Sequence, residues 1–514
     1  MPRRRGLPSS GPRCLPWAAR SFWRYRSVEA TRMSMPFASL LPGAARSAFE
    51  LAASLAADAH PYVVGGAIRD LLLRRRVKDL DISVEHGAAA LGRSIARSLG
   101  GSFFFLSEGP DGGGHRGEVA VRVVAPGHRG GLQIDVTERP GPVEDDLRRR
   151  DLTINAMAIQ PDAVTLLLSA TQQPDEVPLV DPCGGLADLR ARLLRPPLPI
   201  AFVADPVRVL RTVRFMASLA FALAPGVDEL LRAAAPFLPN SAPERLRDEL
   251  MCILDCPGAA KWLRLLCALG ALHVLLPELD GLPRPTRSHT LRSVAALSGP
   301  AVWRCLPADL RPAATAYLRR AASPLYSQAA VLRLALLLHH VGPLAGATST
   351  GTMGQRSACA VAACRRLRLP SAAVAAVRAS VRYWELPCKT PLTTPTALLR
   401  AYRSTGRHSA AVALVALAHV CAGGDLGAAM EGQEDAVQSC LALLRASLLP
   451  GCAPRPQAIV SGADLMRELG IPPGPVVGRL LGSIEEAQVG GRVTTPADAI
   501  DLARSLLRGT HAGS

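Results

Sequence analysis

The residues best equipped for chemistry lie in two neighbouring runs, Gly65-Gly66-Ala67-Ile68-Arg69-Asp70 and Lys78-Asp79-Leu80-Asp81-Ile82-Ser83-Val84. From Lys78 to Val84 polar and apolar residues alternate. Period two predicts a half-buried strand with Asp79 and Asp81 on one face and Leu80 and Ile82 toward a core. Carboxylates held roughly 6–7 Å apart along a strand repel each other unless a cation sits between them. Mg²⁺ suits such a pair, because it takes hard carboxylate and phosphate oxygens as ligands. Gly65 and Gly66 carry no Cβ, so their backbone N–H groups can approach a polyphosphate closely. The run from Arg69 to Arg76 is expected to be helical and to aim its positive end at the same place. Either run alone would be a turn or a solvated strand face; a phosphate cradle beside a metal-binding acid pair points to nucleotidyl transfer. A third run, Asp146-Leu147-Arg148-Arg149-Arg150-Asp151-Leu152-Thr153-Ile154-Asn155-Ala156-Met157-Ala158, crowds Arg, Asp, Thr and Asn into the approach to an apolar segment. That composition suits ribose and triphosphate contacts.

These runs need a rigid frame. Residues 36–183 predict an α+β head with strands near Tyr62–Val64, Asp79–Val84, Ser102–Leu106, Glu118–Ala125, Leu132–Thr137 and Ala163–Leu168. Gly112-Gly113-Gly114-His115 interrupts the head as a loop. From Gly184 onward Leu/Ala/Arg segments divided by Pro and Gly predict an all-α remainder. It reads as a neck over 184–283, a body over 284–450 and a tail over 451–514. Pro283–Ser288 and Gly451–Gln457 are the expected linkers, and no fixed-period repeat is present.

In this order the runs closely resemble the bacterial-type (class II) tRNA nucleotidyltransferase and poly(A) polymerase family. Its Gly-Gly-x-x-Arg-Asp and Asp-x-Asp stand here as Gly65, Gly66, Arg69, Asp70, Asp79 and Asp81. Arg149 to Ala156 matches Arg-Arg-Asp-Phe-Thr-x-Asn-Ala, with Leu152 for Phe. Ala204-Asp205-Pro206-Val207-Arg208-Val209-Leu210-Arg211-Thr212-Val213-Arg214-Phe215 matches Glu-Asp-Pro-x-Arg-x-Leu-Arg-x-x-Arg-Phe, with Ala204 for Glu. Glu244–Leu250 resembles the helix that follows, and Ser461–Leu465 with Pro473-Gly474-Pro475, Gly478 and Gln488 resembles the tail.

The resemblance implies a polymerase-β-like nucleotidyltransferase head and addition of C, C and A to tRNA 3′ ends from CTP and ATP. CC-only, A-only and poly(A) activities share the same core motifs. It further implies that Asp79 and Asp81 hold two Mg²⁺ ions. Asp135, in the alternating Gln133–Thr137, is a candidate third carboxylate, its alternative being a surface strand acid. Arg149, Arg150 and Asp151 are expected at the triphosphate and ribose and Asn155 at the sugar, although Asp151 or Thr153 could instead cap a helix. Asp205 and Arg208, at i and i+3, are expected on one helical face, offering an acceptor edge and a donor fork to the incoming base. Arg211 and Arg214 extend that cationic face. After Asp81 the chain has Leu99-Gly100-Gly101-Ser102-Phe103-Phe104, not the basic run that would favour a poly(A) polymerase. His289 and Leu336–Gly342 resemble an HD phosphohydrolase domain. His340 replaces its key Asp and Gln355 its later His, so a degenerate, structural domain is expected there.

The formal net charge is +17 and the pI near 10.0, an Arg-borne excess that fits a polyanionic partner such as RNA or reflects an arginine-rich genome. Residues 1–35 carry eight Arg and one Glu and no long apolar core. They read as a transit peptide for a plastid or mitochondrion, or as a disordered start. No apolar run reaches the roughly 18 residues of a membrane span. Twelve Cys are scattered without zinc spacing or a disulfide framework, which predicts reduced, buried thiols. Oligomeric state is not encoded in any of these patterns.

Overall fold

The computed structural model describes residues 43–55, 57–108, 119–126, 132–164, 178–342, 352–423 and 430–511. The chain divides into two compact units, one of 1–140 with 159–178 and one of 141–158 with 179–514.

The first unit is built on strands β1 (Tyr62–Val64), β2 (Asp79–Val84), β3 (Ser102–Glu108), β4 (Val119–Ala125) and β5 (Leu132–Glu138), ordered β3-β4-β5-β2-β1. β2 runs parallel to β5, while the β1–β2, β4–β5 and β3–β4 pairs are antiparallel. A parallel pair cannot be joined by a hairpin. The chain leaves β2 through the helix Ala88–Leu99, whose Leu91, Ile95 and Ala96 are buried, and returns through β3 and β4. Leu80, Ile82, Val121, Val123, Ile134 and Val136 are almost fully buried on one face of the sheet. Each contributes about 1.5–3 kcal/mol by leaving water, and together they fix the register. Strand alternation then puts Asp79, Asp81, Arg122 and Asp135 on the opposite face.

Two expectations for this unit change. The helix placed at Arg69–Arg76 instead spans Gly66–Leu72 and ends before Arg74, whose φ is +53°. Its first residue follows Gly65, whose φ of +77° favours glycine. Ala163 and Val164 lie in a turn, donating to the carbonyls of Gln160 and Pro161, and do not begin a strand. Residues 165–168, Gly112–His115 and the 1–35 leader lie outside the described residues.

Among the described residues the second unit is helical apart from the short strand Leu179–Val180, the Ala158 end of the strand Ala158–Ile159, and the pair Leu193–Leu194 with Ala222–Leu223. The helix Gly185–Ala191 packs on the 3₁₀ turn Thr153–Asn155 so closely that a Cβ on Gly185 would lie 2.2 Å from the Thr153 carbonyl oxygen. The proposed linker at Pro283–Ser288 is instead the start of the helix Arg284–Ser298. Pro283 sits at its N-cap and Pro285 in its first turn, where a missing N–H costs nothing. The helix Ser409–Val420 is buried from Ser409 to Ala418, as a helix apolar on all sides must be. Residues 451–457 are non-helical, as expected. Beyond them Val460, Leu465, Leu480, Ile484, Val493, Ala499 and Ala503 form a separate small core. No helix among the described residues is long and apolar enough to cross a membrane.

Candidate active site

In the first unit the parallel register sets Asp81 directly beside Asp135. The antiparallel register sets Arg122 on the other side of Asp135. Arg122 grips Asp135 with Nε to Oδ1 and Nη2 to Oδ2, both at 2.8 Å. The bond to Asp135 raises the Arg122 pKa further. Partial desolvation, and then the Asp135 charge, raise the pKa of Asp79 above the usual carboxylate value, against the pull of Lys78 and Arg122. Arg122 therefore pairs with Asp135 on a face where three carboxylates, Asp79, Asp81 and Asp135, stand together. An all-oxygen donor set with surplus negative charge is the chemistry of a hard divalent cation.

Gly65 and Gly66 lie at the start of the short helix Gly66–Leu72. Arg69 is buried, its Nε donating to Asp70 Oδ1 at 3.0 Å, and its guanidinium flanks the open side of Gly66. This arginine braces the turn from beneath.

In the second unit Asp151 is a buried hub. Its Oδ1 accepts from the Leu152 N–H (2.8 Å) and Asn155 Nδ2 (3.0 Å), and its Oδ2 from Arg211 Nε. Burial alone would raise its pKa; Arg211, Asn155 and the Leu152 N–H outweigh it and hold Asp151 below the usual carboxylate value. Neither Asp151 nor Thr153 caps a helix, since Thr153 Oγ1 donates to Asp188 at 2.7 Å. Asn155 is buried and spends its amide nitrogen on Asp151. Arg150 reaches Asp146 at 3.1 Å, and Arg149 is exposed.

Asp205 and Arg208 do not share a helical face. Asp205 has extended backbone (φ −142°, ψ 90°) between the helices Ala201–Ala204 and Val207–Leu219. A residue before proline is pushed out of the α region, and Pro206 does this to Asp205. The two side chains still meet, Arg208 Nε lying 3.5 Å from Asp205 Oδ2. Arg208 is aimed by two backbone carbonyls, of Arg150 and Ala201, each 3.3 Å from Nη1. Arg214 pairs with Glu249, and Arg211 Nη1 lies 3.8 Å from the same carboxylate.

Three site residues escaped the reading of the sequence. Arg122 holds Asp135. Arg245, on the helix Pro243–Asp255, grips both Asp205 oxygens at 3.1 and 2.8 Å. Glu249, one turn further along, anchors Arg214. The motif Glu244–Leu250 pointed to that helix without naming its partners, and Arg122 shows only as a basic residue in an alternating strand facing an acidic one.

A mixed sheet bearing strand carboxylates, followed by helices whose junction presents Asp205 beside Arg208, is the arrangement of a nucleotidyltransferase. Family models match in the same order: the poly(A) polymerase head domain over residues 61–195, the probable RNA- and SrmB-binding site of polymerase A over 220–282, and a putative second domain of tRNA nucleotidyltransferase over 452–503. The chain is 32% identical to the CC-adding tRNA nucleotidyltransferase of Geobacter sulfurreducens, over 85% of this chain and 90% of that protein. It is 31% identical to the A-adding tRNA nucleotidyltransferase of Deinococcus radiodurans, over 85% and 93%. Its fold is similar to that of the Thermotoga maritima CCA-adding enzyme solved with tRNA, with a TM-score of 0.56, 21% identity and coverage of 90% and 94%. The chain belongs to the class II, bacterial-type tRNA nucleotidyltransferase and poly(A) polymerase family.

Proposed function

We propose that this enzyme adds C, C and A to tRNA 3′ ends, using CTP and ATP. The observation that carries the reading is the acid face of β2 and β5. There Asp79, Asp81 and Asp135 share one side of the sheet, Asp81 directly beside Asp135, and Asp135 is held by Arg122. Two Mg²⁺ ions held by Asp79 and Asp81 would activate the tRNA 3′-hydroxyl and steady the leaving pyrophosphate. The 3′ oxygen attacks the α-phosphorus, the P–O bond to pyrophosphate breaks, and one nucleotide is added. Asp135, gripped by Arg122 beside Asp81, is the third carboxylate of the face. Gly65 and Gly66 offer backbone N–H groups to the triphosphate, and Arg149 and Arg150 supply cations to the phosphates.

Asp205 accepts from the exocyclic amine that C and A share, and Arg208 donates to their acceptor edges. Arg245 occupies one lone pair on each Asp205 oxygen and leaves a second for the base. Ala204 stands where the family pattern has Glu, so backbone carbonyls orient Arg208 in place of a carboxylate. Asp151 and Asn155 set Arg211. The head, neck, body and tail divide as 36–183, 184–283, 284–450 and 451–514, and the neck carries the base-selecting residues. The basic 1–35 leader directs the chain to a plastid or mitochondrion.

A second reading, CC-only or A-only addition, is favoured by the names of the two relatives that match most of the chain. The test is tRNA ending at the discriminator base and tRNA ending in CC, each incubated with CTP alone, ATP alone and both, beside an oligo(A) primer. Two C followed by one A supports full CCA addition; arrest after CC, or A added only to tRNA-CC, supports the second reading. Long A-tails on the primer with no C in tRNA would overturn both.

A further inference from the structure

Four imidazoles converge within the second unit: His289 on the helix Arg284–Ser298, His339 and His340 at the end of Gln328–Leu338, and His419 on Ser409–Val420. One ligand nitrogen of each lies within 4.8 Å of those of the other three. His289 Nε2 is 2.9 Å and His339 Nε2 is 3.1 Å from His419 Nδ1. A tetrahedral ion with bonds of 2.0–2.1 Å sets its ligand nitrogens about 3.3–3.4 Å apart, so the cluster is near that geometry and the widest separation must close by about 1.5 Å.

The sequence predicted a site stripped of its ligands; the fold instead brings an imidazole to every corner. His339 Nδ1 lies 2.6 Å from the Leu336 carbonyl, which can only accept. The proton is therefore on Nδ1, and the Nε2 lone pair points into the cluster, the arrangement that orients a ligating imidazole. Protons satisfy this meeting poorly. His289 Nε2 and His339 Nε2 both converge on the single His419 Nδ1, whereas one cation accepts a lone pair from each ring. Trp384 closes the cluster, its ring centroid 4.1 Å from that of His419. Glu385, beside His340, is spent on Arg356 and Lys389.

We infer that this cluster is a structural site for a divalent transition metal of the zinc type, closed by four imidazoles and tying three helices together. An all-nitrogen set favours zinc, nickel or copper over magnesium or manganese. Four protein ligands leave no position for a reactive water.

The test uses untagged full-length protein, freed of metal by a chelator and titrated with Zn²⁺ alone or Co²⁺ alone. We expect one ion per chain, retained on gel filtration, with the intense visible bands of tetrahedral Co²⁺. The same ion should be held by the Asp79→Asn/Asp81→Asn double variant, which separates this site from the acid face. His419→Gln should weaken Zn²⁺ binding by more than the ~10–100-fold that loss of a supporting hydrogen bond costs. The less buried His289→Gln gives the same readout if His419→Gln does not fold. Unchanged affinity in His289→Gln, pale octahedral Co²⁺ spectra, or loss of the ion with Asp79 and Asp81 would each overturn the assignment.

Discussion

Replacing Asp151 tests the second unit's architecture most directly, because three donors depend on one carboxylate that is 8% exposed. In Asp151→Ala the Leu152 N–H and the Asn155 amide lose their buried acceptor, at about 1–3 kcal/mol each, and Arg211 loses its charged partner. The expected cost is about 3–5 kcal/mol, in the range for breaking a buried ion pair. Asp151→Asn should behave differently. Its carbonyl oxygen still accepts from Leu152 and Asn155, and only the side facing Arg211 turns from acceptor to donor. Arg211 is 41% exposed, can rehydrate, and has Glu249 at 3.8 Å. The expected cost is therefore about 1–2 kcal/mol, below that of a full charged hydrogen bond. Thermal and urea unfolding midpoints of the two variants measure this difference. The pH dependence follows from the sign of the shift. The folded pKa of Asp151 is lowered, so its stabilisation is complete above the unfolded value of about 3.9 and fades as pH falls through the folded value. The gap between wild type and Asp151→Asn should be flat near neutrality and shrink only below about pH 4. Equal destabilisation by Asn and Ala, or a loss under about 1 kcal/mol for Ala, would refute the hub.

Asp79→Asn or Asp81→Asn should abolish nucleotide addition while leaving thermal stability unchanged or higher, since each relieves like-charge repulsion; near-wild-type addition in Mg²⁺ would remove these residues from catalysis. Arg245→Met should raise KM for CTP and ATP by about fivefold at most, the worth of one exposed ion pair, with little change in kcat. A fall in KM would instead mark Arg245 as a competitor of the base for Asp205. The four-histidine cluster should support no phosphohydrolysis; metal-dependent phosphatase activity that survives Asp79→Asn and vanishes with His339→Ala would contradict this.

What the sequence revealed followed the range of each signal. β2 was legible to its end residues because alternation is strictly local, and Asp79 and Asp81 came with it. Asp205 was misplaced on a helix although Pro206 carried the warning in the next position. Pro283 and Pro285 were read as a linker, yet proline is equally at home in a helix's first turn. The partners of the arginines were out of reach, because Arg122 meets Asp135, and Arg245 meets Asp205, only through sheet register or helix packing. His419 carried no local signal, since its companions lie on helices some 80 and 130 residues distant.

The small core beyond residue 457 has a consequence of another kind. Val460 to Ala503 bury their apolar faces chiefly on one another, and the helix Pro475–Val489 reaches the body through polar contacts such as Arg400 with Glu486 and Arg403 with the Gly482 carbonyl. Such contacts can be rewritten one residue at a time without exposing apolar surface. The tail is thus a cassette: its core closes on itself, so the length of 451–457 and these polar contacts can change without unpacking either side of the joint.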